Sequence, residues 1–364
     1  MDIIGLIAEY NPFHNGHLYH INKIKELYPN SILILVLNGY FLERGEISII
    51  SKSNKTKLAL DYGIDIVIEL PTLFGTQSAD TFSEASIKLL NELKVKKIVF
   101  GSESNNIDKL TKIAKKQIEQ ELNIKKYLNK GLNYPTSLNK ALNSDINTPN
   151  DILGITYIKT ILKNKYDIEP ISIKRTNDYH DNLSNDPIIS ASNIREKIKN
   201  NIDIKKYLPN NQYINQIDET LLFTLLKYKI NTTADLSIYL TVDEGIENKL
   251  KNEINNSNSI EELIKNIKSK RYTYNRLKRM LIHILLDIKK EDANLPITYI
   301  RLLGFNKKGQ KYLNNIKKEL KLPVLTKIAE TDEVRKIEIK AYILYEMLTK
   351  ETLTFEQKNK PILK

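Results

Sequence analysis

Residues 31–37, Ser-Ile-Leu-Ile-Leu-Val-Leu, form an apolar run without polar alternation that stops at Asn38-Gly39. A strand of that kind is buried on both faces, and sheets covered on both faces are parallel sheets flanked by helices. The first 200 residues repeat the pattern. The apolar run at 3–7 breaks at Asn11-Pro12, the run at 64–70 stops at Pro71, the run at 95–100 stops at Gly101, and a strand pattern returns at 169–174. Helical spacing occupies 17–28, 52–62, 80–93, 107–142 and 150–164. Such a β-α-β-α series predicts an α/β fold with a parallel sheet and helices on both faces. Beyond residue 200 helical patterns dominate, at 218–228, 259–268, 275–290, 308–320 and 333–348. We therefore expect a first domain over 1–200 and a mainly α-helical second domain over 201–364.

Charge separates the two spans. The chain has a formal net charge of +12, with 30 basic and 21 acidic side chains after residue 200 against 26 and 23 before it. A basic second half suggests a polyanionic partner, most simply nucleic acid, although lysine-rich surfaces also arise from A/T-rich coding sequence. The absence of cysteine excludes disulfides, thiolate metal sites and cysteine nucleophiles. No apolar run approaches the roughly 20 residues that span a bilayer, and the start does not read as a signal peptide, so a cytoplasmic protein without a membrane partner is expected.

In an open parallel sheet, ligands bind at the carboxyl ends of the strands. The first strand delivers His14-Asn15-Gly16-His17 there, at the start of a helix. Orphan amides and the helix dipole make such a start a phosphate site. Imidazoles can add hydrogen bonds and, when protonated, positive charge. The other strands deliver the segment from Asn38 to Glu46, Gly101-Ser102-Glu103, and Arg175. Gly101 would let a base or ribose approach the backbone, or simply end a strand. Arg175 could hold phosphate or serve a structural ion pair. Ile189-Ser190-Ala191-Ser192-Asn193-Ile194-Arg195 offers amide, hydroxyl and guanidinium donors, or only a capped helix start.

His-x-Gly-His after a first strand resembles the nucleotidyltransferase superfamily. The string from Ala8 to Leu18, Ala-Glu-Tyr-Asn-Pro-Phe-His-Asn-Gly-His-Leu, resembles its bacterial tRNA(Met) cytidine acetate ligase branch. Further similar segments follow in order: Asn38-Gly39 with Arg44-Gly45-Glu46, Ile68-Glu69-Leu70-Pro71, Phe100 to Glu103, Pro149 to Gly154, Tyr179-His180-Asp181, Lys270-Arg271-Tyr272-Thr273, and Arg301 to Phe305. The resemblance implies a Rossmann-like nucleotidyltransferase domain over 1–200. It also implies ATP contact by Ile7, Ala8, Glu9, Tyr10, Asn11, Pro12, Phe13, His14, Asn15, Gly16, His17, Leu18, Tyr19 and His20, and by Gly101, Asn150 and Arg175, joined by Ser192 and Arg195. Asp151 stands where a second amide is expected, which leaves the contact open between Asn150 and Asp151. The implied reaction activates acetate with ATP as acetyl-adenylate. It then acetylates the N4 amine of the wobble cytidine of elongator tRNA(Met), with His14 and His17 as catalytic donors. Mg²⁺ is expected on the phosphates, with no metal ligands from the protein and no obligate protein partner.

Between 265 and 280 the chain carries Lys268, Lys270, Arg271, Arg276 and Arg279 without an acidic residue, interleaved with Tyr272 and Tyr274; Lys307 and Lys308 follow. Basic and aromatic side chains together suit single-stranded RNA, whereas a solvated helix face is the plainer meaning of such runs. Two rival readings share the histidine motif: an adenylyltransferase for a small substrate, and a non-catalytic RNA-binding protein on a nucleotidyltransferase scaffold.

Overall fold

In this computed structural model the structure describes residues 1–129, 134–142, 148–175, 187–352, 356 and 360–364. Tyr179-His180-Asp181 lies outside the described residues. Five parallel strands form the centre: β1 (Ile3–Ala8), β2 (Ile32–Asn38), β3 (Ile66–Leu70), β4 (Lys97–Ser102) and β5 (Glu169–Lys174). Their spatial order is β5-β4-β1-β2-β3. β2 shows why the sheet must be covered twice. Ile32, Ile34 and Val36 join one apolar cluster, while Leu33, Leu35 and Leu37 join the cluster on the opposite face. Helices Asn15–Leu27 and Lys52–Asp61 cover the second face through Ile21, Ile24, Leu58 and Ala59. Helices Ala79–Glu92, Ile107–Glu119 and Pro149–Asn164 cover the first. Each buried Leu or Ile contributes about 1.5–3 kcal/mol, so this double layer dominates the stability of the first half.

The second half is mainly helical, with one feature that helical periodicity passes over. Arg301-Leu302-Leu303-Gly304-Phe305 belongs to β6 (Ile300–Phe305), which pairs antiparallel with β3 and extends the sheet. The short strands β7 (Val324–Leu325) and β8 (Ile362–Leu363) flank β6. Helix Glu333–Thr349 packs Val334, Ile337, Ala341 and Tyr345 into the first core. A separate helical core spans Phe223 to Ile284. Composition changes near residue 200, but the packing does not divide there: the chain after that helical core returns to the sheet. Among the described residues, no helix is long and apolar enough to cross a membrane.

Candidate functional site

The chain runs from β1 outward to β3 and then returns to β4 on the other side of β1. Their carboxyl ends therefore bound a crevice where the strand order reverses, and a cleft of about 490 Å³ opens there. Beyond β1, Tyr10 adopts φ 47°, a left-handed conformation that costs a side-chain-bearing residue roughly 1–3 kcal/mol. Its buried ring meets Phe13 and His17 edge-on, with centroids 4.8 and 4.7 Å away. The strained corner turns the next residues into the cleft.

His14 and His17 cap their helix reciprocally. Gly16 N–H donates to His14 Nδ1 at 3.0 Å, and His14 N–H donates to His17 Nδ1 at 3.2 Å. With both Nδ1 atoms accepting, each neutral ring carries its proton on Nε2. The two rings stack with centroids 3.8 Å apart. Burial, followed by the Arg175 and Arg195 guanidinium groups, pushes His14 down to about 3. Burial and His14 lower His17, and burial with Arg175 lowers His20 to about 4. The histidines of the cleft are therefore neutral N–H donors at pH 7. Positive charge in the cleft comes from the arginines.

Arg175 follows β5 and lies over Gly101: a Cβ there would stand 3.4 Å from Arg175 Cγ. Its Nε is buried without a hydrogen-bond partner. At the start of helix Pro149–Asn164, Asn150 and Asp151 sit differently. Asp151 is buried, and its carboxylate accepts from the Ser102 and Thr148 hydroxyls and from Ser104 N–H. Asn150 lines the cleft, with its amide nitrogen donating to Glu103 at 2.6 Å. Across the opening, Ser190 caps helix Ala191–Lys199 and exchanges a 3.0 Å hydrogen bond with Ser192. Arg195 donates to Asn11 O at 2.7 Å and pairs with Glu46. Three helix starts, at Gly16, Asn150 and Ala191, thus line one cleft. Their dipoles all favour an anion there.

The expected ATP contacts divide. Ile7, Ala8, Glu9, Tyr10, Asn11, His14, Gly16, His17, Tyr19, His20, Gly101, Asn150, Arg175, Ser192 and Arg195 line the cleft. Pro12, Phe13, Asn15 and Leu18 are not among its lining residues. Phe13 is fully buried and stacks on Tyr62, Asn15 holds Pro187 O and Lys206 O, and Leu18 packs on the apolar layer. Glu43, within the segment from Asn38 to Glu46 that the sequence brings to this edge, also lines it, as do Tyr157 and Asn275, which the sequence does not single out. Glu43 has a partner 236 positions away: Arg279 Nη1 donates to its carbonyl at 3.0 Å and to its carboxylate at 3.2 Å. Only the fold reveals that pairing.

The basic stretch is less free than its sequence implies. Acidic partners missing from 265–280 arrive from elsewhere: Glu244 pairs with Arg271, Asp243 with Arg276, Glu46 with Lys278 and Glu43 with Arg279. Tyr272 is buried, donates to Asp243 O at 2.6 Å and lies under the Arg276 guanidinium, so it cannot stack on a base as expected. Lys268, Lys270, Arg271 and Tyr274 are exposed. The Lys268 ammonium sits 5.1 Å from the Tyr274 ring centre, next to Asn275 on the cleft wall. Lys307 and Lys308 do not join this surface. Asn306 N–H bonds Asp65 O, and Lys308 Nζ reaches Ser31 O, both at the amino ends of the parallel strands, opposite the cleft.

A family model described as HIGH Nucleotidyl Transferase matches residues 1–360. A tRNA(Met) cytidine acetate ligase of Geobacillus sp. (strain WCH70) is 39% identical over 95% of this chain and 94% of its own. The ligase of Clostridium novyi (strain NT) is 38% identical, with 96% of each chain covered. Crystal structures of Thermotoga maritima TmcAL, apo and bound with alpha-thio ATP, are similar at TM-scores of 0.88 and 0.85. Each is 27% identical and is matched over 100% of this chain and 99% of its own.

Proposed function

The chain belongs to the HIGH nucleotidyl transferases and, among them, to the tRNA(Met) cytidine acetate ligases, and from that membership we propose how its cleft works. ATP occupies the crevice between β1 and β4, with its phosphates toward the helix starts and the histidine pair. One observation carries this reading: His14 and His17, Arg175 and three helix N-termini converge on a single cleft at the switch point of the sheet. Neither rival reading accounts for both the full-length family match and the basic helical half.

Acetate attacks the α-phosphorus, forming a carboxylate–phosphorus bond as the bond to pyrophosphate breaks. Charge moves onto the leaving pyrophosphate, and fixed donors aimed at it lower the barrier. The Nε2–H groups of His14 and His17 supply such donors, with the rings held in place through their Nδ1 atoms. Arg175 and Arg195 supply the charge, and Ser192 the hydroxyl, for the β and γ phosphates. Among the described residues, no group of three acidic, histidine or cysteine side chains could hold a metal ion. Mg²⁺ would arrive bound by the phosphates of ATP.

The N4 amine of the wobble cytidine of elongator tRNA(Met) then attacks the acetyl carbonyl, and AMP leaves. Lys268, Lys270, Arg271 and Tyr274 lie beside the cleft wall and suit an anticodon loop, through phosphate neutralisation and base stacking. Such work on tRNA belongs in the cytoplasm. Incubation with ATP, acetate and elongator tRNA(Met) transcript should yield N4-acetylcytidine by mass, and acetate should be required for ATP–pyrophosphate exchange. Exchange that ignores acetate but responds to a phosphorylated metabolite would favour a small-substrate adenylyltransferase instead.

A further inference from the structure

Glu43 and Arg279 lie where the loop after β2 meets helix Tyr274–Leu285. Glu43 lines the cleft together with the α-phosphate donors, and Asn275, one turn before Arg279 on the same helix, lines it too. Glu43 thus stands in the cleft wall with Arg279 bonded to it from behind the lining, and Asn275 of the same helix adjoins the exposed Tyr274. Arg279 Nε is buried without a hydrogen-bond partner.

A carboxylate beside a guanidinium matches one face of one base. The Watson–Crick edge of cytosine presents an N4 donor next to the N3 and O2 acceptors, and carboxylates accept from that N4. Uracil reverses the first two positions and would meet carboxylate with carbonyl. Resting on the ligase reading above, we infer that Glu43 and Arg279 are the cytosine-reading pair, with Glu43 accepting the proton released at acetyl transfer. The N4 lone pair forms the bond to the acetyl carbon. The bond from that carbon to the adenylate oxygen breaks, and AMP leaves with its electrons. One N4 proton passes to the Glu43 carboxylate, and the product amide keeps the other. Burial raises the Glu43 carboxyl above its ordinary value, with Arg279 and Arg44 opposing and Glu9 and Glu46 assisting. A carboxylate so placed is a better proton acceptor than a solvated one.

The alternative is a lock that only holds the loop against the helix. The full-length protein and its Glu43→Gln and Arg279→Lys variants separate the two. Glutamine still accepts from Arg279 but takes no proton. Acetate-dependent ATP–pyrophosphate exchange is measured beside single-turnover acetyl transfer to tRNA(Met) transcript. Affinity is compared for transcripts carrying cytidine or uridine at the wobble position. Glu43→Gln should slow transfer by about 100-fold or more, and exchange by at least tenfold less than that. Arg279→Lys should lower the preference for the cytidine transcript about tenfold. Equal losses of exchange and transfer would mark a lock and overturn the inference. Transfer by Glu43→Gln within about threefold of the parent would overturn it as well. Parent protein showing no acetate-dependent exchange would instead remove the ligase reading, and this inference with it.

Discussion

At the scale of single residues, His14 carries two duties that substitution can separate. Its Nδ1 caps the helix, and in the function proposed above its Nε2–H serves the phosphates. Asparagine is a good N-cap, so His14→Asn should keep the unfolding midpoint close to the parent, whereas alanine should cost about 1 kcal/mol more. Both should lose about 10²–10³ in acetate-dependent exchange, the usual consequence of removing one fixed donor to a developing oxyanion. Recovery of exchange by Asn would show that the cap, and not the Nε2 donor, is what matters. The same burial makes stability sensitive to pH. His14, His20 and His283 have folded values of about 3, 4 and 4, below the ordinary 6.5, and His17 is lowered as well. The unfolded chain therefore binds more protons as pH falls below 6.5. This contribution is fully present above that value and is lost on acidification toward 4. Each histidine should cost about 1 kcal/mol between pH 7 and 5.5. Urea unfolding at both values checks this, and replacing His14 and His17 together by Asn should flatten the slope.

At the scale of elements, helix Pro149–Asn164 reaches the site because it lies unusually close to β4. A Cβ on Gly154 would stand 2.4 Å from the Phe100 ring. Gly154→Ala should therefore destabilise by about 1–3 kcal/mol in urea unfolding, despite the better helix propensity of alanine. The same substitution at Gly101 meets only ordinary contact with Arg175, so its loss should appear in ATP affinity instead. These elements also show what could be read before the fold was known. β1 to β5 were legible from their strand patterns, clearest in the unbroken apolar run of β2, and the helix starts after the histidine motif and at Ser190 were legible from local sequence. β6 is apolar as well, but nothing local says that Ile300–Phe305 leaves a helical neighbourhood to pair with β3. Glu43 is equally mute, since its meaning depends on Arg279. The buried face of Tyr272 was hidden for the same reason: its partner Asp243 lies 29 positions upstream. Local pattern determines local structure, and pairings between distant segments escape it.

At the scale of the whole molecule, the surfaces around the sheet should behave differently toward tRNA. Lys270→Ala with Arg271→Ala should weaken binding and reduce the salt dependence by about 0.7 in log–log slope for each phosphate no longer neutralised. Lys307→Ala with Lys308→Ala, at the opposite edge, should leave tRNA affinity within error, and a comparable weakening there would rule out this footprint. What joins the halves is a buried charge cluster. Lys52 contacts Glu69, Glu338 at 3.1 Å and Glu356 at 2.9 Å. Arg301 of β6 pairs with Glu69 and Glu356, and the Tyr40 hydroxyl donates to Glu356 at 2.8 Å. The five charged side chains are 2% exposed or less, and two cations face three carboxyls. Burial, with Glu338 beside it, pushes Glu69 well up, whereas Lys52 and Arg301 overcome burial to hold Glu356 down. Burial and Glu338 thus favour the protonated form of Glu69, which would leave the cluster neutral. That spare proton makes the cluster respond unequally to its losses. After Glu356→Gln, Glu69 can ionise and restore the balance of two against two. After Arg301→Met, one cation is left facing three carboxyls, and another of them must take up a proton. Removing one partner of a buried pair commonly costs about 3–5 kcal/mol, so Arg301→Met should fall in that range and Glu356→Gln clearly below it. Urea unfolding of both variants at pH 7 measures the difference, and equal losses would mean that Glu69 is already ionised in the native protein.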